Sequence, residues 1–537
     1  MKNHGQTCRT LLIASLFALH AVYGACSDFQ SQCLSFNPRL SLPNSNIRLV
    51  EFIPANSTLS FPTTDPTCNR PSQFFTTQAC RVALLIPTSN RSNTIVEYFF
   101  PPPDTWKGRL LGTGNGGIDG CIKYEDIAYG LNWGFATTGS NNGHNGTSGE
   151  AFLNNPDVIT DFSYRSKHVA AVTGKKLTEA FYGRLHHKSY YMGCSGGGRQ
   201  GIQAASLYPE DYDGVLVGAP ALNFNYMSAW RASFYITTGP AKSPDFINAE
   251  TWKGLIHNEI LKQCDELDGV KDGIINSPQR CSGIFSPDTL LCRDNSTSAC
   301  LSPKQVEIVR KVYSDYIDEK IGFIYPGFDL GAEVLGTQRL LSGTPFQYSL
   351  DWFRYAVYSN ATWDPASYTT ADAAEAERVN PGNARTWPLS LSDFNNSGGK
   401  MLIYHGAEDQ QITHANTERW YSHLVAETQT EDIDTFLRHF RVPGLAHCSS
   451  GNGAWQIGQN AQAAAGVPFT RETNVLAALI DWVENKKAPD SILGTKFVDN
   501  DPLKGVQMRR PHCKFPLTAL YQGGDHTVPE SWKCGAS

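Results

Sequence analysis

The segment Gly193-Cys194-Ser195-Gly196-Gly197 lies between an apolar run at 189–192 and a helix-forming segment at 200–207. The pattern is G-x-S-x-G, in which a serine occupies a sharp turn between a strand and a helix. Glycines tolerate the strained backbone of this turn and leave the N–H group of Gly196 free to donate to an oxyanion. The stretch therefore predicts a nucleophilic serine, although G-x-S-x-G is also common in proteins whose serine is not catalytic.

Four further apolar runs end in glycine-rich or polar corners, as strands of a parallel sheet covered by helices do. They are residues 108–111, 215–217, 400–404 and 436–442. The ligand crevice of such a sheet lies beyond the carboxyl ends of its strands, so all the corners should meet there. Helical spacing of apolar residues from 475 to 483, with Thr473 or Asn474 as the cap, predicts a covering helix. The fold class is α/β.

A serine hydroxyl needs a general base and an orienting acid to attack at neutral pH. In α/β-hydrolases these partners follow the serine in the order acid, then histidine. Asp409 and His447 each follow an apolar run and meet that order. We predict that His447 takes the proton of Ser195 and that Asp409 orients His447. The alternatives are an ordinary turn aspartate, with Glu408 next to it, and an ordinary loop histidine.

Two cysteines adjoin the predicted catalytic residues, since Cys194 precedes Ser195 and Cys448 follows His447. If Ser195 and His447 meet at hydrogen-bond distance, the cysteines come within reach of the Cα separation of a disulfide, about 5.5 Å. Such a bridge would fix the catalytic geometry. The alternative is that Cys194 is itself a thiolate nucleophile, which an oxidising compartment disfavours.

The segment Gly112-Thr113-Gly114-Asn115-Gly116-Gly117 follows the first of these runs. Its glycines let backbone N–H groups approach a reacting carbonyl, so we assign the second oxyanion donor to Gly117, beside Gly196. A phosphate-binding loop is a poorer interpretation, because the spacing fails G-x-G-x-x-G and no Gly-Lys-Ser/Thr ending is present.

The interval between Pro220 and Lys400 lacks the strand-and-corner pattern and is far longer than a crossover between parallel strands requires. We predict a lid subdomain at 222–395, inserted between hydrolase segments 25–221 and 396–537. A second domain remote from the chemistry is the alternative. Aromatic side chains crowd this interval, most of them expected in its core and some along an apolar slot. They are Phe224, Tyr226, Trp230, Phe234, Tyr235, Trp352, Phe353, Tyr355, Tyr358 and Trp363.

Within this interval, residues 264–274 combine carboxylates with glycines that allow tight turns. Closely spaced oxygen ligands suit Ca²⁺. The spacing of Asp265, Asp268 and Asp272 is not that of an EF-hand, so a calcium site and a solvated acidic turn are both compatible with the sequence.

The N-terminus indicates export. Lys2 and Arg9 precede an apolar run from Leu11 to Val22, and small residues follow, as in a secretory signal peptide at 1–24. A membrane anchor is the alternative, but this run is too short to cross a bilayer as a helix. The chain carries 14 cysteines, an unusual number for a reducing cytosol. N-x-S/T sequons occur at Asn56, Asn90, Asn145, Asn295, Asn360 and Asn395.

Charge excludes one class of partner. The formal net charge is −6 and no basic stripe is visible, so nucleic acid is not an expected partner. No later run is long and apolar enough to cross a bilayer, so no membrane partner is expected either. These features predict a secreted, extracellular glycoprotein.

Four segments together resemble the fungal tannase/feruloyl-esterase family. They are the serine turn extended to Gly201 (the elbow), the residues around Asp409, Gly444-Leu445-Ala446-His447-Cys448, and residues 264–274 (the acidic loop). The resemblance is closest to type-B feruloyl esterases and covers nearly all of the chain after the signal. It implies an α/β-hydrolase fold with a lid, the triad Ser195, Asp409 and His447, and no organic cofactor. It also implies a lid calcium held by the side chains or carbonyls of Asp265, Asp268, Val270, Asp272 and Ile274.

The same resemblance implies six disulfides: Cys194–Cys448, Cys33–Cys80, Cys68–Cys121, Cys264–Cys281, Cys292–Cys300 and Cys513–Cys534. Cys26 is then left unpaired, which is a departure from the family pattern; Ala446 is a second, minor one. The expected function is a secreted serine carboxylesterase that hydrolyses feruloyl esters of plant cell-wall polysaccharide or small hydroxycinnamate esters. A tannase acting on galloyl esters is the close alternative, and a non-catalytic carbohydrate-binding glycoprotein is the alternative of another class.

Overall fold

The computed structural model describes residues 28–293, 300–428 and 433–536. The predicted signal peptide, Cys26 and the sequon at Asn295 lie outside these ranges. The strands of the described residues are β1 (Asn46–Ile53), β2 (Ser57–Ser60), β3 (Ser72–Phe75), β4 (Ala79–Pro87), β5 (Asn93–Phe100), β6 (Arg109–Thr113), β7 (Phe135–Ser140), β8 (Lys188–Cys194), β9 (Gly214–Gly218), β10 (Tyr316–Asp318), β11 (Gly322–Tyr325), β12 (Lys400–Gly406), β13 (Leu437–Val442), β14 (Ser491–Phe497), β15 (Val506–Cys513), β16 (Thr518–Tyr521) and β17 (Trp532–Gly535).

The α-helices of the same residues lie mostly between these strands and in the long interval before β12. They are α1 (Phe29–Ser35), α2 (Tyr124–Asn132), α3 (Pro156–Thr160), α4 (Ser166–Tyr182), α5 (Gly196–Leu207), α6 (Phe224–Thr238), α7 (Ala249–Thr251), α8 (His257–Cys264), α9 (Pro278–Ile284), α10 (Pro303–Tyr313), α11 (Glu333–Gly336), α12 (Gln347–Asp351), α13 (Thr370–Val379), α14 (Ser392–Asn396), α15 (His414–Thr428) and α16 (Val475–Asn485). Within the described residues, no helix combines the length and apolar character needed to span a membrane.

Nine strands of the described residues form one central sheet in the order β1-β4-β5-β7-β6-β8-β9-β12-β13. The six strands from β7 to β13 in this order run parallel, and β1, β4 and β5 add antiparallel pairs at the other edge. The five predicted strands are β6, β8, β9, β12 and β13, and all belong to the parallel part. Their carboxyl ends therefore meet at one edge, as the sequence predicts.

Alternate residues of the parallel strands face two different helical layers, because successive side chains of a strand point to opposite faces. Tyr190 and Leu402 pack on one face with α16, whereas Tyr191 and Met401 pack on the other with α5 and α15. Helix α16 begins as predicted, because the Asn474 side chain accepts hydrogen bonds from the first free N–H groups of the helix. Burial on both faces explains why these strands read as continuous apolar runs.

The long interval is inserted between two adjacent strands, because β9 and β12 pair directly although α6 to α14 separate them in the chain. The predicted lid, 222–395, lies within this insertion. Most of it surrounds its own core, which contains Trp230 and Trp352. Its end is different: Leu391 and Phe394 pack with strand residues of the hydrolase core.

Six disulfides connect the described residues, and they are the pairs that the family resemblance implies: Cys33–Cys80, Cys68–Cys121, Cys194–Cys448, Cys264–Cys281, Cys292–Cys300 and Cys513–Cys534. Among the sequons, Asn56, Asn90, Asn145 and Asn360 are exposed and Asn395 is half-buried. Exposure makes the first four accessible to a glycosyltransferase and leaves glycosylation itself a prediction.

Candidate active site

Ser195 occupies the turn between β8 and α5 in a backbone conformation that serine rarely adopts, with φ of 64° and ψ of −122°. Its N–H donates to the carbonyl of Gly218 at 2.9 Å, which ties the turn to the end of β9. A Cβ on Gly193 would lie 2.7 Å from the carbonyl oxygen of Gly197, so the turn closes only because glycine is present. The strain lifts the serine out of the sheet, as the motif predicts.

Asp409 and His447 meet although 38 positions separate them, because their loops follow neighbouring strands β12 and β13. Nδ1 of His447 lies 2.7 Å from Oδ2 of Asp409, whose side chain is fully buried. Burial alone would raise the pKa of Asp409, but the neighbouring His447 and the hydrogen bond from His405 lower it well below its usual value. Asp409 therefore remains a carboxylate.

The neighbouring carboxyl group, Glu408, is turned away from His447. It packs against Gly331 of the insertion, where a Cβ would contact its side chain at 3.0 Å. Burial, followed by the charge of Glu333, raises the pKa of Glu408 well above its usual value. Asp409 is therefore the acid that orients the histidine.

A second histidine holds Asp409 from the other side, and sequence analysis did not single it out. Nε2 of His405 lies 3.2 Å from Oδ2 of Asp409 and 2.9 Å from the carbonyl oxygen of Ile412. Two acceptors at Nε2 require that nitrogen to carry the proton, so Nδ1 accepts from the Thr417 hydroxyl at 2.9 Å. The only sequence signal is that His405 lies near the end of β12, four residues before Asp409.

Cys194 and Cys448 form the predicted bridge, with Cα atoms 6.0 Å apart and 254 positions between them. The loop after β13 is further fixed because the N–H of His447 donates to Oε1 of Gln410 at 3.0 Å. Ser195 and His447 line the same cavity. The bridge therefore joins the strand that carries the nucleophile to the loop that carries the base.

The glycine-rich segment after β6 lies directly against the nucleophile turn. A Cβ on Gly196 would come within 2.5 Å of the carbonyl oxygen of Gly117 and 3.3 Å of its nitrogen. Gln200 of α5 fixes this segment, because its Oε1 accepts from the N–H of Asn115 at 3.1 Å. The backbones of both predicted oxyanion donors thus lie beside Ser195.

The insertion closes one side of the catalytic cavity, which has a volume of about 860 Å³. Phe346 and Tyr348 line the cavity together with Ser195 and His447, and their rings meet edge to face at 5.4 Å. The Tyr348 ring lies so close to Gly117 that a Cβ there would be 2.5 Å from it. Residues of the insertion therefore form part of the wall of this cavity, which is where the predicted lid would lie.

The aromatic side chains that the sequence emphasised are mostly elsewhere. Trp230, Phe234, Trp352 and Phe353 are buried in the core of the insertion. Phe346 and Tyr348 were not among the residues singled out, because aromatic composition alone does not show which side chains face a cavity. Phe346 immediately precedes α12 and Tyr348 is its second residue, and this part of the insertion borders the cavity.

The acidic loop does not line the cavity, but it contacts the chain segment that contains and follows His447, which we call the histidine loop. The Asn452 side chain, in the chain segment after His447, donates to the carbonyl of Gly273 at 2.6 Å. Oδ1 of Asp265 accepts from the N–H of Gly273, and Arg510 pairs with Asp272 at 2.6 Å. These bonds connect the insertion to the C-terminal part of the chain.

Side chains alone do not form a metal site in the described part of this loop. No three His, Cys, Asp or Glu side chains of residues 28–293, 300–428 and 433–536 converge closely enough to hold an ion. One observation favours a cation: Oδ2 of Asp268 is buried without a hydrogen-bond partner. Burial, then the charge of Asp272, raises the pKa of Asp268 to about 6. An all-oxygen donor set with an unsatisfied carboxylate fits Ca²⁺ in its chemistry.

Comparison with known proteins gives the family. Residues 80–363 and 383–535 match the family described as tannase and feruloyl esterase. A probable feruloyl esterase B-2 of Aspergillus flavus is 50% identical over 494 residues, covering 91% of this chain and 94% of that protein. A protein of the same name from Aspergillus fumigatus is 42% identical, covering 97% and 99%.

Solved structures agree with this assignment. The crystal structure of feruloyl esterase B from Aspergillus oryzae superimposes with a TM-score of 0.90 and 39% identity, covering 94% of this chain and 100% of that one. A tannin acyl hydrolase from Aspergillus niger, at 20% identity, has a TM-score of 0.73 over 94% of each chain, which shows a shared fold alone. The chain belongs to the tannase and feruloyl esterase family.

Proposed function

We propose that this protein is a serine carboxylesterase that releases hydroxycinnamic acids, such as ferulate, from esters of plant cell-wall polysaccharide. The observation that carries the proposal is the pairing of His447 with the buried Asp409. The Cys194–Cys448 bridge joins this pair to the strained turn of Ser195, and Ser195 and His447 line a single cavity. The similar proteins from Aspergillus flavus, Aspergillus fumigatus and Aspergillus oryzae are described as feruloyl esterases, which supports the choice of ester.

The chemistry requires Ser195 to become a nucleophile. His447 takes the hydroxyl proton through Nε2 as the oxygen attacks the ester carbonyl, since Nδ1 is held by Asp409. The imidazolium then returns this proton to the leaving alcohol, and an acyl-enzyme forms. Water, deprotonated by His447 in the same way, hydrolyses the acyl-enzyme and regenerates the serine.

The negative charge of each tetrahedral intermediate needs donors near Ser195. We assign these to the N–H groups of Gly196 and Gly117, whose backbones are in contact. Backbone donors fixed before reaction contribute about 3 kcal/mol each to stabilisation of a transition state.

The aromatic acyl group fits the lid side of the cavity. Phe346 and Tyr348 offer ring faces or edges to a planar phenolic ring, and the remaining lining is largely polar. The open volume of about 860 Å³ leaves space for a bulky alcohol on the sugar side. A galloyl group is also planar and hydroxylated, so tannase activity is the close alternative.

A panel of methyl esters tests the proposal. We expect turnover of methyl ferulate and related hydroxycinnamates to exceed that of methyl gallate by at least about tenfold in kcat/KM. A fluorophosphonate probe should label the wild type and not Ser195→Ala. Hydrolysis of gallate esters alone would favour tannase, and labelling that survives in Ser195→Ala would remove the assigned nucleophile.

We also propose that the chain is secreted and glycosylated. The signal-like segment 1–24, six disulfides and exposed sequons support export through an oxidising compartment. Expression in a fungal host should yield extracellular enzyme that loses mass on endoglycosidase treatment. Retention inside the cell with an uncleaved N-terminus would contradict the proposal.

A structural Ca²⁺ in the acidic loop is the remaining proposal. The carboxylates of Asp265, Asp268 and Asp272 would hold it together with the carbonyls of Val270 and Ile274. Such an ion supplies no catalytic chemistry; it neutralises the carboxylates and braces the loop that contacts Asn452. The unsatisfied Oδ2 of Asp268 supports this assignment.

A further inference from the structure

A basic pocket lies at the edge of the central sheet opposite to the catalytic cavity. Lys400 begins β12 and Arg438 lies at the start of β13, whereas the catalytic loops follow the other ends of these strands. Lys486, just after α16, and Lys514, just after β15, complete the set of four cations. The cavity that they line has a volume of about 580 Å³, in the range of ligand sites.

Among residues 28–293, 300–428 and 433–536, the cations that line the basic pocket outnumber the carboxylates that pair with them. Arg438 pairs with Asp490 at 2.6 Å, and Lys514 pairs with Asp434 at 2.5 Å. Two carboxylates therefore form ion pairs with two of the four cations. No carboxylate of the described residues forms an ion pair with the ammonium group of Lys400 or Lys486.

The environment of Lys400 disfavours its positive charge. Lys400 is half-buried beside Trp482, with its ammonium 5.9 Å from the ring centroid. Burial, then the charge of Lys486, lowers the pKa of Lys400. Two like charges that lie close together in a partly desolvated pocket repel each other. An anion that binds between them relieves this repulsion, so its binding is favourable. This excess of cations is notable in a chain whose net charge is −6.

We propose that the basic pocket binds uronate carboxylates of acidic plant cell-wall polysaccharide and so holds the polymer on the enzyme at a distance from Ser195. The choice of occupant rests on the proposed function, because a polymeric ester substrate brings these carboxylates to the enzyme surface. Lys400 and Lys486 contact the carboxylate, and Arg438 and Lys514 add positive potential. Attachment away from the cavity keeps the enzyme near further ester groups of the same chain.

Affinity electrophoresis in gels that contain polygalacturonate tests the proposal. The wild type should be retarded, although both partners are negative overall, and neutral arabinoxylan should retard it less. The double variant Lys400→Gln/Lys486→Gln should bind polygalacturonate about tenfold more weakly. The matched control, Lys242→Gln/Lys304→Gln, removes two exposed lysines of the insertion and should bind as the wild type does.

Equal retardation of the two double variants would overturn the proposal, as would retention that persists when salt rises from about 0.05 M to about 0.5 M. Lys486→Gln alone changes an exposed side chain, so a weaker effect of the same sign must appear there even if the double variant is less stable. Hydrolysis of methyl ferulate should be equal in all variants. If the wild type lacked this hydrolysis but bound polygalacturonate, the proposed function would fail and the basic pocket would stand.

Discussion

Asp409 keeps its charge in a fully buried position because four N–H groups point at its two oxygens. The backbone N–H groups of Gln411 and Ile412 bond Oδ1 at 2.8 and 2.9 Å, and His405 and His447 bond Oδ2. Removing one donor from a buried charge costs more than an ordinary hydrogen bond. His405 therefore acts on catalysis through the carboxylate that orients His447.

The prediction at the residue scale concerns His405. His405→Phe should lower kcat about 10- to 100-fold with little change in KM, because Asp409 loses a donor that fixes its orientation. The loss also raises the pKa of Asp409, and a more basic carboxylate stabilises the protonated imidazole beside it. The acid limb of the kcat/KM profile should therefore move to higher pH.

His405→Gln is the matched control, because its amide can still donate to Asp409, and it should recover part of kcat and of the pH profile. An acid limb that stays in place in His405→Phe, with only the melting temperature lowered, would show a purely structural histidine.

At the scale of elements, the catalytic loops depend on connections between parts that are distant in the chain. The Cys194–Cys448 bridge closes a loop of 254 residues beside the reacting groups, whereas Cys292–Cys300 closes 8 residues in the insertion. A disulfide that closes a long loop lowers the conformational entropy of the unfolded chain more than one that closes a short loop. Because it lies beside Ser195 and His447, we expect it also to position the catalytic residues.

The double variant Cys194→Ala/Cys448→Ala should lose at least about tenfold in kcat while it is still folded at the assay temperature, because His447 is no longer held beside Ser195. Circular dichroism establishes the folded state, and kcat on methyl ferulate gives the effect. Cys292→Ala/Cys300→Ala is the control and should retain kcat. Full activity of the first variant would contradict the role of the bridge in positioning.

The lid segment before α12 gives a second prediction at this scale. Tyr348→Ala should reduce kcat/KM for methyl ferulate about 10- to 100-fold, because the acyl ring loses a buried aromatic contact. An acetyl ester does not reach this wall, so its hydrolysis should fall less than about threefold. Equal losses on both esters would mean that Tyr348 supports Gly117 rather than selects the acyl group.

At the scale of the whole molecule, the acidic loop connects three parts of the chain. Disulfide Cys264–Cys281 anchors the loop in the insertion, Arg510 pairs with Asp272 from β15, and Asn452 bonds Gly273 from the histidine loop. Arg510 also stacks on Trp532 at 3.9 Å. Loss of charge balance in this loop should therefore weaken the packing of the lid on the hydrolase domain.

If Ca²⁺ occupies the loop, chelation should lower the melting temperature at pH 7 by about 3–6 °C, and added Ca²⁺ should restore it. Without the ion, the raised pKa of Asp268 means that its carboxylate destabilises the fold increasingly as pH rises from about 4 to about 6. The chelator effect should therefore be larger at pH 7 than at pH 5. Asp268→Asn should respond less to the chelator, and an unchanged melt in the wild type would favour a solvated acidic turn.

Local chemistry made much of the fold predictable from the sequence. The strands around 189–192 and 400–404 are apolar runs because both faces of a parallel sheet are buried, and their ends were visible as glycine-rich or polar corners. The order of residues along the chain predicted that an acid at the end of β12 pairs with His447. Phe346, Tyr348 and His405 could not be assigned in this way, because nothing in their local sequence differs from ordinary core residues.

The turn at Ser195, the order of the triad and the α/β layering could be predicted from the sequence alone, because each depends on short-range backbone geometry or on hydrophobic periodicity. Three features became visible only in the folded chain. Asp409 rather than Glu408 faces His447, a second histidine contacts this acid, and the insertion presents the rings of Phe346 and Tyr348 to the cavity. These are contacts between segments that are far apart in the chain. Their formation depends on how the whole core packs, which no local pattern of residues records.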